Sequence, residues 1–182
     1  MAYPGYGAGP VAPPQQDPLY GWFQAVAGVD GQIEPVELQQ CLTSSGIAGT
    51  YQQFSLETCR VMIAMLDRDY SGKMGFSEFK ELWTVINQWK QTFIAFDSDR
   101  SGTIDGHELA NAIRSFGYNL TPSAVGVLLK RYEKGGRITF DDFVSCAVRL
   151  RALTAIFQSR DAQRNGWANF QYDDFIRCTM SI

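Results

Sequence analysis

The chain has few of the residues on which catalysis, zinc binding and disulfide formation depend. Its 182 residues include one histidine, His107, and four cysteines, none of which forms a CxxC pair. Single cysteines within apolar helical patterns indicate buried free thiols and a reducing compartment. The sequence also lacks a recognisable nucleophile–base pair and a phosphate-binding loop, so we expect that the protein is not an enzyme.

Other absences argue against a nucleic-acid-binding or membrane-spanning protein. The 16 lysines and arginines are scattered among 19 acidic residues, and the net charge of −3 offers no basic surface to phosphates. No apolar run reaches the roughly 18 residues that cross a bilayer. Residues 1–16 carry no charge and so lack the basic region of a signal peptide, and Ala2 excludes myristoylation. We therefore expect a soluble, cytoplasmic protein.

Proline is concentrated at one end of the chain. Five of the seven prolines lie within residues 1–18, mixed with glycine and tyrosine. This composition does not favour a helix or a packed core, so residues 1–18 are predicted to form a flexible tail. The hydrophobic content of 45% is sufficient for residues 19–182 to form a compact helical domain.

A fivefold repeat organises residues 19–182. An apolar residue, three intervening positions and an acid recur with the acid at Glu37, Glu78, Glu108, Asp142 and Asp174, at intervals of 41, 30, 34 and 32 residues. A period of this length indicates successive helix-loop-helix units. The sequence therefore predicts an all-α fold of five helix-loop-helix repeats with short β-bridges between paired loops, near residues 19–45, 56–87, 88–117, 122–150 and 151–182.

The linkers between the repeats predict how the hands are joined. Residues 79–96 and 143–160 contain neither glycine nor proline. Residues 79–96 also carry apolar residues at helical spacing, so one long helix is expected to leave the second loop and enter the third. A second long helix is expected between the fourth and fifth loops. Thr121 and Pro122 are instead typical of a new helix start.

The third loop, "DSDRSGTIDGHE", fits the twelve-residue calcium-binding loop at every diagnostic position. Calcium takes six to eight oxygen ligands, which this loop can supply. Gly102 provides the positive φ of the sharp bend, and Ile104 lies where paired loops form their β-bridge. The predicted ligands are the side chains of Asp97, Asp99 and Ser101, the carbonyl of Thr103, Asp105 directly or through water, and both carboxylate oxygens of Glu108.

The second loop, "DRDYSGKMGFSE", fits nearly as well, with Gly72 at the bend. Gly75 stands where the third loop has an acid, and affinity depends partly on ligand charge, so weaker binding is expected. The predicted ligands are Asp67, Asp69, Ser71, the carbonyl of Lys73, and Glu78.

The first loop, "AGVDGQIEPVE", has eleven residues and begins without an acid. Backbone carbonyls of Ala27 and Gln32 can replace missing side chains beside Asp30 and the closing Glu37. Calcium binding and a purely structural role are both compatible with this sequence.

The fourth and fifth loops depart further from the calcium-binding pattern. Gly135 and Gly136 occupy the fourth-loop positions of a ligand and the bend, so this loop is expected to be free of metal. The fifth loop spans fourteen positions from Asp161 to Asp174, and its middle offers only neutral oxygens. Metal binding is not expected there.

These features resemble the penta-EF-hand family. The resemblance rests on five consecutive EF-hands, an eleven-residue first loop, a stretched fifth loop, a Gly/Pro-rich N-terminus and segments such as "SLETCRVMIAMLDRD" and "KMGFSEFKELW", and it covers the chain after the tail. It implies that the first hand pairs with the second, the third with the fourth, and the fifth with another subunit. It also implies first-loop calcium ligands at Ala27, Asp30, Gln32 and Glu37.

The unpaired fifth hand predicts a dimer. EF-hand loops pair through the strand around their apolar position, which is Phe170 in the fifth hand, and an unpaired loop leaves a backbone edge and apolar helices exposed. A second copy, or a related chain, is expected to cover this surface. The predicted interface residues are Trp167, Phe170, Tyr172 and Phe175.

The predicted function is that of a dimeric calcium sensor. Calcium at the second and third loops, and at the first, is expected to move the attached helices and uncover apolar surface for protein targets. The family resemblance implies reversible movement to membranes, with ion channels and annexins as typical partners. Two alternatives remain open, a cytosolic calcium buffer and a regulatory subunit of a calpain-like protease.

Overall fold

The structure is a computed structural model that describes residues 17–49, 53–68 and 71–182. The predicted tail, except for Asp17 and Pro18, lies outside the described residues, and so does the predicted ligand Asp69. Within the described ranges no helix is long and apolar enough to cross a membrane.

The described residues form eight α-helices and two short strands. The helices are α1 (Pro18–Val26), α2 (Pro35–Ser44), α3 (Leu56–Leu66), α4 (Phe76–Phe96), α5 (Gly106–Ser115), α6 (Pro122–Tyr132), α7 (Phe140–Arg160) and α8 (Tyr172–Met180). The strands are β1 (Thr103–Ile104) and β2 (Ile138–Thr139). Because α4 and α7 each serve two hands, eight helices build five helix-loop-helix units. The prediction of an all-α EF-hand fold is confirmed, and so are both long connecting helices.

Local sequence fixes where the helices begin. Thr121 caps α6 by accepting a hydrogen bond from the backbone of Ala124, and Pro122 occupies the first turn, as predicted. The first helix, α1, begins at Pro18, one residue before the predicted domain boundary at Leu19. The Asp17 carboxylate caps α1 and also lies 2.6 Å from Lys80 Nζ on α4. This ion pair attaches the start of the first hand to the second.

The loops pair as the resemblance implied. Ile33 of the first loop and Met74 of the second exchange two backbone hydrogen bonds, both of 2.9 Å. In the other lobe Ile104 lies opposite Ile138, where β1 and β2 pair antiparallel. Within the described ranges, no strand pairs with the fifth loop. The first four hands therefore form two lobes, and the fifth loop has no strand partner among the described residues.

A single hydrophobic core joins the two lobes. Phe93 of α4 is fully buried, and its ring centroid lies 5.1 Å from that of Phe140 and 5.3 Å from that of Phe143 on α7. Phe54, which precedes α3, packs against Phe140 from the other lobe. The buried cluster extends from Phe23 to Val148, whereas α8 has no buried residue. The core thus stabilises four hands and leaves the exit helix of the fifth outside it.

Candidate functional site

Backbone amides of the third loop donate hydrogen bonds to its first acid, Asp97. Asp97 is 5% exposed and accepts hydrogen bonds from Ser101 N at 2.9 Å and Gly102 N at 3.0 Å. Gly102 has a φ of 79°, the left-handed conformation predicted for the bend. Hydrogen bonds from Ser101 lower the pKa of the Asp99 carboxyl, which keeps it charged as a ligand must be. The loop therefore places the carboxylates of Asp97 and Asp99 on the same turn of backbone.

The second loop repeats this arrangement. Asp67 accepts hydrogen bonds from Ser71 N at 3.0 Å and Gly72 N at 2.8 Å. The Ser71 hydroxyl donates to the carbonyl of Lys73 at 3.2 Å, just as Ser101 donates to the carbonyl of Thr103 at 3.0 Å. In both loops the structure thus brings together two predicted uncharged ligands, the serine hydroxyl and the backbone carbonyl.

Each closing glutamate caps the helix that follows its loop. Glu37 accepts a hydrogen bond from Glu34 N at 2.8 Å, Glu78 from Gly75 N at 2.9 Å, and Glu108 from Asp105 N at 2.9 Å. These glutamates occupy the third position of α2, α4 and α5, so any movement of the carboxylate is coupled to the start of a helix.

The first loop offers a small space between two carboxylates. A methyl group placed on Gly28 would lie 3.5 Å from Glu37 Oε1 and 3.6 Å from Asp30 Oδ1. Both oxygens therefore face the volume that the missing side chain leaves open. Asp30 Oδ1 also accepts a hydrogen bond from Gln32 N at 3.2 Å, which fixes its orientation. The structure thus brings together the carboxylates of two of the four residues implied as first-loop ligands, Asp30 and Glu37.

The donor chemistry of these three loops fits calcium. Their oxygens come from carboxylates, hydroxyls and backbone carbonyls, the hard ligands that calcium prefers. In the part of the chain that the structure describes, no three Asp, Glu, His or Cys side chains converge closely enough to hold a metal ion.

In the fourth and fifth loops a basic side chain neutralises the closing acid. Lys134 Nζ lies 2.9 Å and 3.3 Å from the two carboxylate oxygens of Asp142. Arg160 forms a bidentate pair with Asp174, at 2.6 Å and 2.9 Å, and Arg177 adds a third contact at 2.9 Å. These ion pairs support the expectation that both loops are free of metal.

The first half of the fifth loop retains a feature that sequence reasoning missed. Asp161 is buried and accepts hydrogen bonds from Asn165 N at 3.1 Å and Gly166 N at 2.8 Å, and Gly166 has a φ of 83°. This is the conformation of the second and third loops. The spacing in the sequence could have predicted this conformation, because Asp161 and Gly166 are separated by the same number of residues as Asp97 and Gly102. Only the second half of the loop is stretched.

Acidification is expected to loosen the fifth hand. The Arg160 and Arg177 hydrogen bonds hold the pKa of Asp174 well below its usual value. The resulting stabilisation is present above about pH 4, the pKa of an unfolded aspartate, and is lost as the pH falls toward the folded pKa. The Asp174→Asn variant should therefore lose less thermal stability than the parent as the pH falls from about 5 to about 3. Thermal unfolding followed by circular dichroism measures this, with the exposed neighbour substituted as Asp173→Asn for control. Parallel pH profiles for parent and Asp174→Asn would contradict the assignment.

The predicted interface residues lie on the surface around α8. Trp167 is 82% exposed and Tyr172 is 76% exposed, while Phe175 is exposed and Phe170 half-buried. The rings of Phe170 and Phe175 pack edge to face with centroids 6.2 Å apart, and the Arg160 guanidinium lies 5.5 Å from the Phe170 centroid. Further exposed apolar residues on α7 and α8 extend this surface, namely Leu153, Phe157, Ile176 and Met180.

Comparison with known proteins agrees with the loop geometry. Two family models, each described as an EF-hand domain pair, match residues 30–86 and 86–147. These ranges coincide with the two lobes whose loops pair in the structure. The fold and its loops define a calcium-binding protein built from EF-hands.

Full-length relatives identify the family. Sorcin from Homo sapiens is 60% identical over 99% of this chain and 93% of sorcin, and grancalcin from Mus musculus is 56% identical over 99% and 82%. The chain belongs to the penta-EF-hand family. Calpain small subunit 1 from Mus musculus is 36% identical over 87% of this chain and 60% of that protein. A solved homolog of programmed cell death 6 protein from Leishmania major Friedlin superposes with a TM-score of 0.66, at 30% identity over 92% and 90% of the two chains.

Proposed function

We propose that the protein is a dimeric calcium sensor whose metal sites are the first three loops. The observation that carries this proposal is that Glu78 and Asp97 lie at opposite ends of α4, a single helix of 21 residues. Glu78 closes the second loop, and Asp97 opens the third. A rigid helix with a ligand at each end transmits the movement of one loop to the other.

The proposed ligand sets are those that the sequence and the family resemblance predict. In the third loop they are Asp97, Asp99, Ser101, the Thr103 carbonyl, Asp105 and Glu108. In the second loop they are Asp67, Asp69, Ser71, the Lys73 carbonyl and Glu78. In the first loop they are Ala27, Asp30, Gln32 and Glu37. When bound, calcium supplies a divalent charge shared among these oxygens. The closing glutamates would then turn toward their loops, and the helices that they cap would move with them.

A groove beside the third loop is a candidate for the surface that this movement alters. It has a volume of about 520 Å³ and lies between α5 and α6. Apolar side chains line one part of it, including Ala110, Val125 and Leu129, and the calcium ligand Asp105 lies at its edge. Because α5 begins immediately after Asp105, a shift of Glu108 changes the width of this groove.

The exposed apolar surface of the fifth hand supports the dimer. An exit helix without a buried residue is unusual for a stable domain, and large apolar patches mark interaction sites. The same hand of a second copy is the proposed partner, and a related chain is an alternative one. The 36% identity to calpain small subunit 1 favours a second candidate function, that of a regulatory subunit of a calpain-like protease.

We extend the proposal to a cytoplasmic, non-catalytic protein that associates reversibly with membranes and with targets such as channels or annexins. The family resemblance supports the membrane association and the targets. The presence of a single histidine, the exposed His107 beside Glu108, supports a non-catalytic protein.

The sensor proposal predicts calcium-dependent exposure of apolar surface. In calcium the protein should bind phenyl-Sepharose and liposomes, and in chelator it should elute, because the helices attached to Glu78 and Glu108 change position. Co-sedimentation with liposomes at a series of free calcium concentrations measures this. Identical binding in calcium and chelator, with normal calcium uptake, indicates a buffer and rejects the sensor. A stable heterodimer with a protease subunit in pull-downs favours the second candidate.

A further inference from the structure

A lysine side chain crosses from the second loop to the first. Lys73 Nζ lies 2.8 Å from Asp30 Oδ2 and 2.9 Å from Glu34 Oε1. Lys73 immediately precedes Met74, whose backbone pairs with Ile33. This pairing places the two loops side by side and brings the ammonium group of one hand onto the carboxylates of the other.

The contacted carboxylate is a proposed calcium ligand. Asp30 Oδ1 faces the open space beside Gly28 and Glu37, whereas Asp30 Oδ2 is bound by Lys73. A calcium ion in the first loop would therefore share the charge of the Asp30 carboxylate with the ammonium group. The positive charge also repels a divalent cation held a few ångströms away.

We propose that the Lys73 side chain is a built-in competitor that lowers the calcium affinity of the first loop, so that this loop fills after the second and third. The inference rests on the proposal that the first loop is a calcium site. Lys73 then has two separate functions. Its backbone carbonyl is a ligand of the second loop, and its side chain restrains the first.

The other lobe contains a weaker version of the same contact. Arg137 immediately precedes Ile138, which pairs with Ile104, and Arg137 Nη1 lies 3.7 Å from Asp99 Oδ2 of the third loop. In both lobes, therefore, the residue before the paired position carries a cation to the acid of the neighbouring loop. The longer distance means that Arg137 is held less closely to Asp99 than Lys73 is to Asp30.

The competitor is present at every physiological pH. Hydrogen bonds to Asp30 and Glu34 raise the pKa of Lys73 above that of a free lysine, and the hydrogen bond from Lys73 lowers the pKa of Asp30. Both groups remain charged, so the restraint does not depend on a protonation change.

Calcium titration of a protein with only the first loop intact tests this inference. The Glu78→Gln and Glu108→Gln substitutions together weaken the other two loops, and Lys73→Met is then added. Methionine retains the backbone carbonyl and most of the side-chain volume. Isothermal titration should show first-loop affinity rising by about threefold to tenfold, as expected for the loss of two exposed ion pairs. Lys80→Met is the matched control, because Lys80 pairs with Asp17 of the same lobe instead.

The three outcomes of this titration are distinguishable. Tighter binding with Lys73→Met and unchanged binding with Lys80→Met support the inference. Equal first-loop affinity with and without the Lys73→Met substitution overturns it while leaving the first loop as a calcium site. If no variant binds calcium, the first loop is not a site, and the inference is overturned together with that part of the proposed function.

Chemical labelling supplies a second measurement that does not depend on affinity. Acetylation of Lys73 by a limiting reagent, followed by mass spectrometry, should be slow in chelator because its ammonium group is paired. It should accelerate severalfold at the calcium concentration that fills the first loop, whereas Lys80 should keep one rate. Labelling of Lys73 that is the same with the loop filled and empty overturns the inference.

Discussion

Replacing Glu108 with glutamine should weaken calcium binding at the third loop by about 100-fold, since loss of a direct ligand exceeds the 10- to 100-fold cost of disturbing an outer-shell partner. Glu108 is the proposed bidentate ligand, and its charge is one of four carboxylates in this loop. Glutamine retains an oxygen that can accept the hydrogen bond from Asp105 N, which is 2.9 Å long in the parent. The cap of α5 should therefore survive, and the calcium-free variant should keep its helical circular dichroism.

Isothermal titration measures this loss, and Glu133→Gln is its control. Glu133 lies in the same lobe, with Oε2 3.3 Å from the position of a methyl group on Gly106, and it is not a proposed ligand. Its substitution removes the same charge near the same helix, so it reports the general electrostatic effect. Similar affinities for both variants would contradict the assignment of Glu108.

The coupling through α4 gives this experiment a second readout. If one helix connects the second and third loops, Glu108→Gln should also lower the apparent affinity of the second loop, by less than it lowers that of the third. By linkage, Glu78→Gln should lower the affinity of the third loop by the same factor. If each substitution changes the affinity of its own loop alone, α4 connects the two loops without coupling their calcium binding.

The repeat made most of the fold predictable. Linkers without glycine or proline predicted the long helices α4 and α7, and Thr121 with Pro122 predicted the start of α6. Ile104 predicted the strand pairing because the β-bridge position is fixed by its distance from the bend. These features depend on neighbours in sequence, where spacing determines which groups can meet.

The ion pairs could not be predicted in the same way. Lys73 reaches Asp30 across 43 positions, and Arg160 reaches Asp174 across 14. The Lys73 contact depends on how two loops are placed beside each other, and the Arg160 contact depends on the path of one stretched loop. Both depend on the direction of a long, flexible side chain. For the same reason the sequence could not show that basic side chains, including Lys134, neutralise the closing acids of the last two loops.

The fifth hand has one feature that the sequence predicts and another that only the structure shows. Its lack of a partner follows from counting five hands, but its surface required the structure. The end of α7 and the whole of α8 expose apolar side chains that no described element covers, and a groove of about 380 Å³ lies between the two helices. Phe170 and Phe175 contribute to the lining of this groove, with Leu153 and Phe157 from α7. A surface of this shape can receive aromatic side chains of a second copy.

Replacing Phe175 with aspartate should raise the dissociation constant of the proposed dimer by about 100-fold, which is the cost of losing one interface hot spot of roughly 2 to 3 kcal/mol. The new carboxylate loses its hydration when the interface forms and has no partner there. Sedimentation velocity over a range of protein concentrations measures the shift from dimer to monomer. Trp167→Asp, at a more exposed position, should act in the same direction without disturbing the hand itself.

Val127→Asp is the matched control, because Val127 is an exposed apolar residue on α6, outside the proposed interface. If both fifth-hand variants remain dimeric at the concentrations where the parent does, the fifth hand is not the interface, and the two copies meet elsewhere.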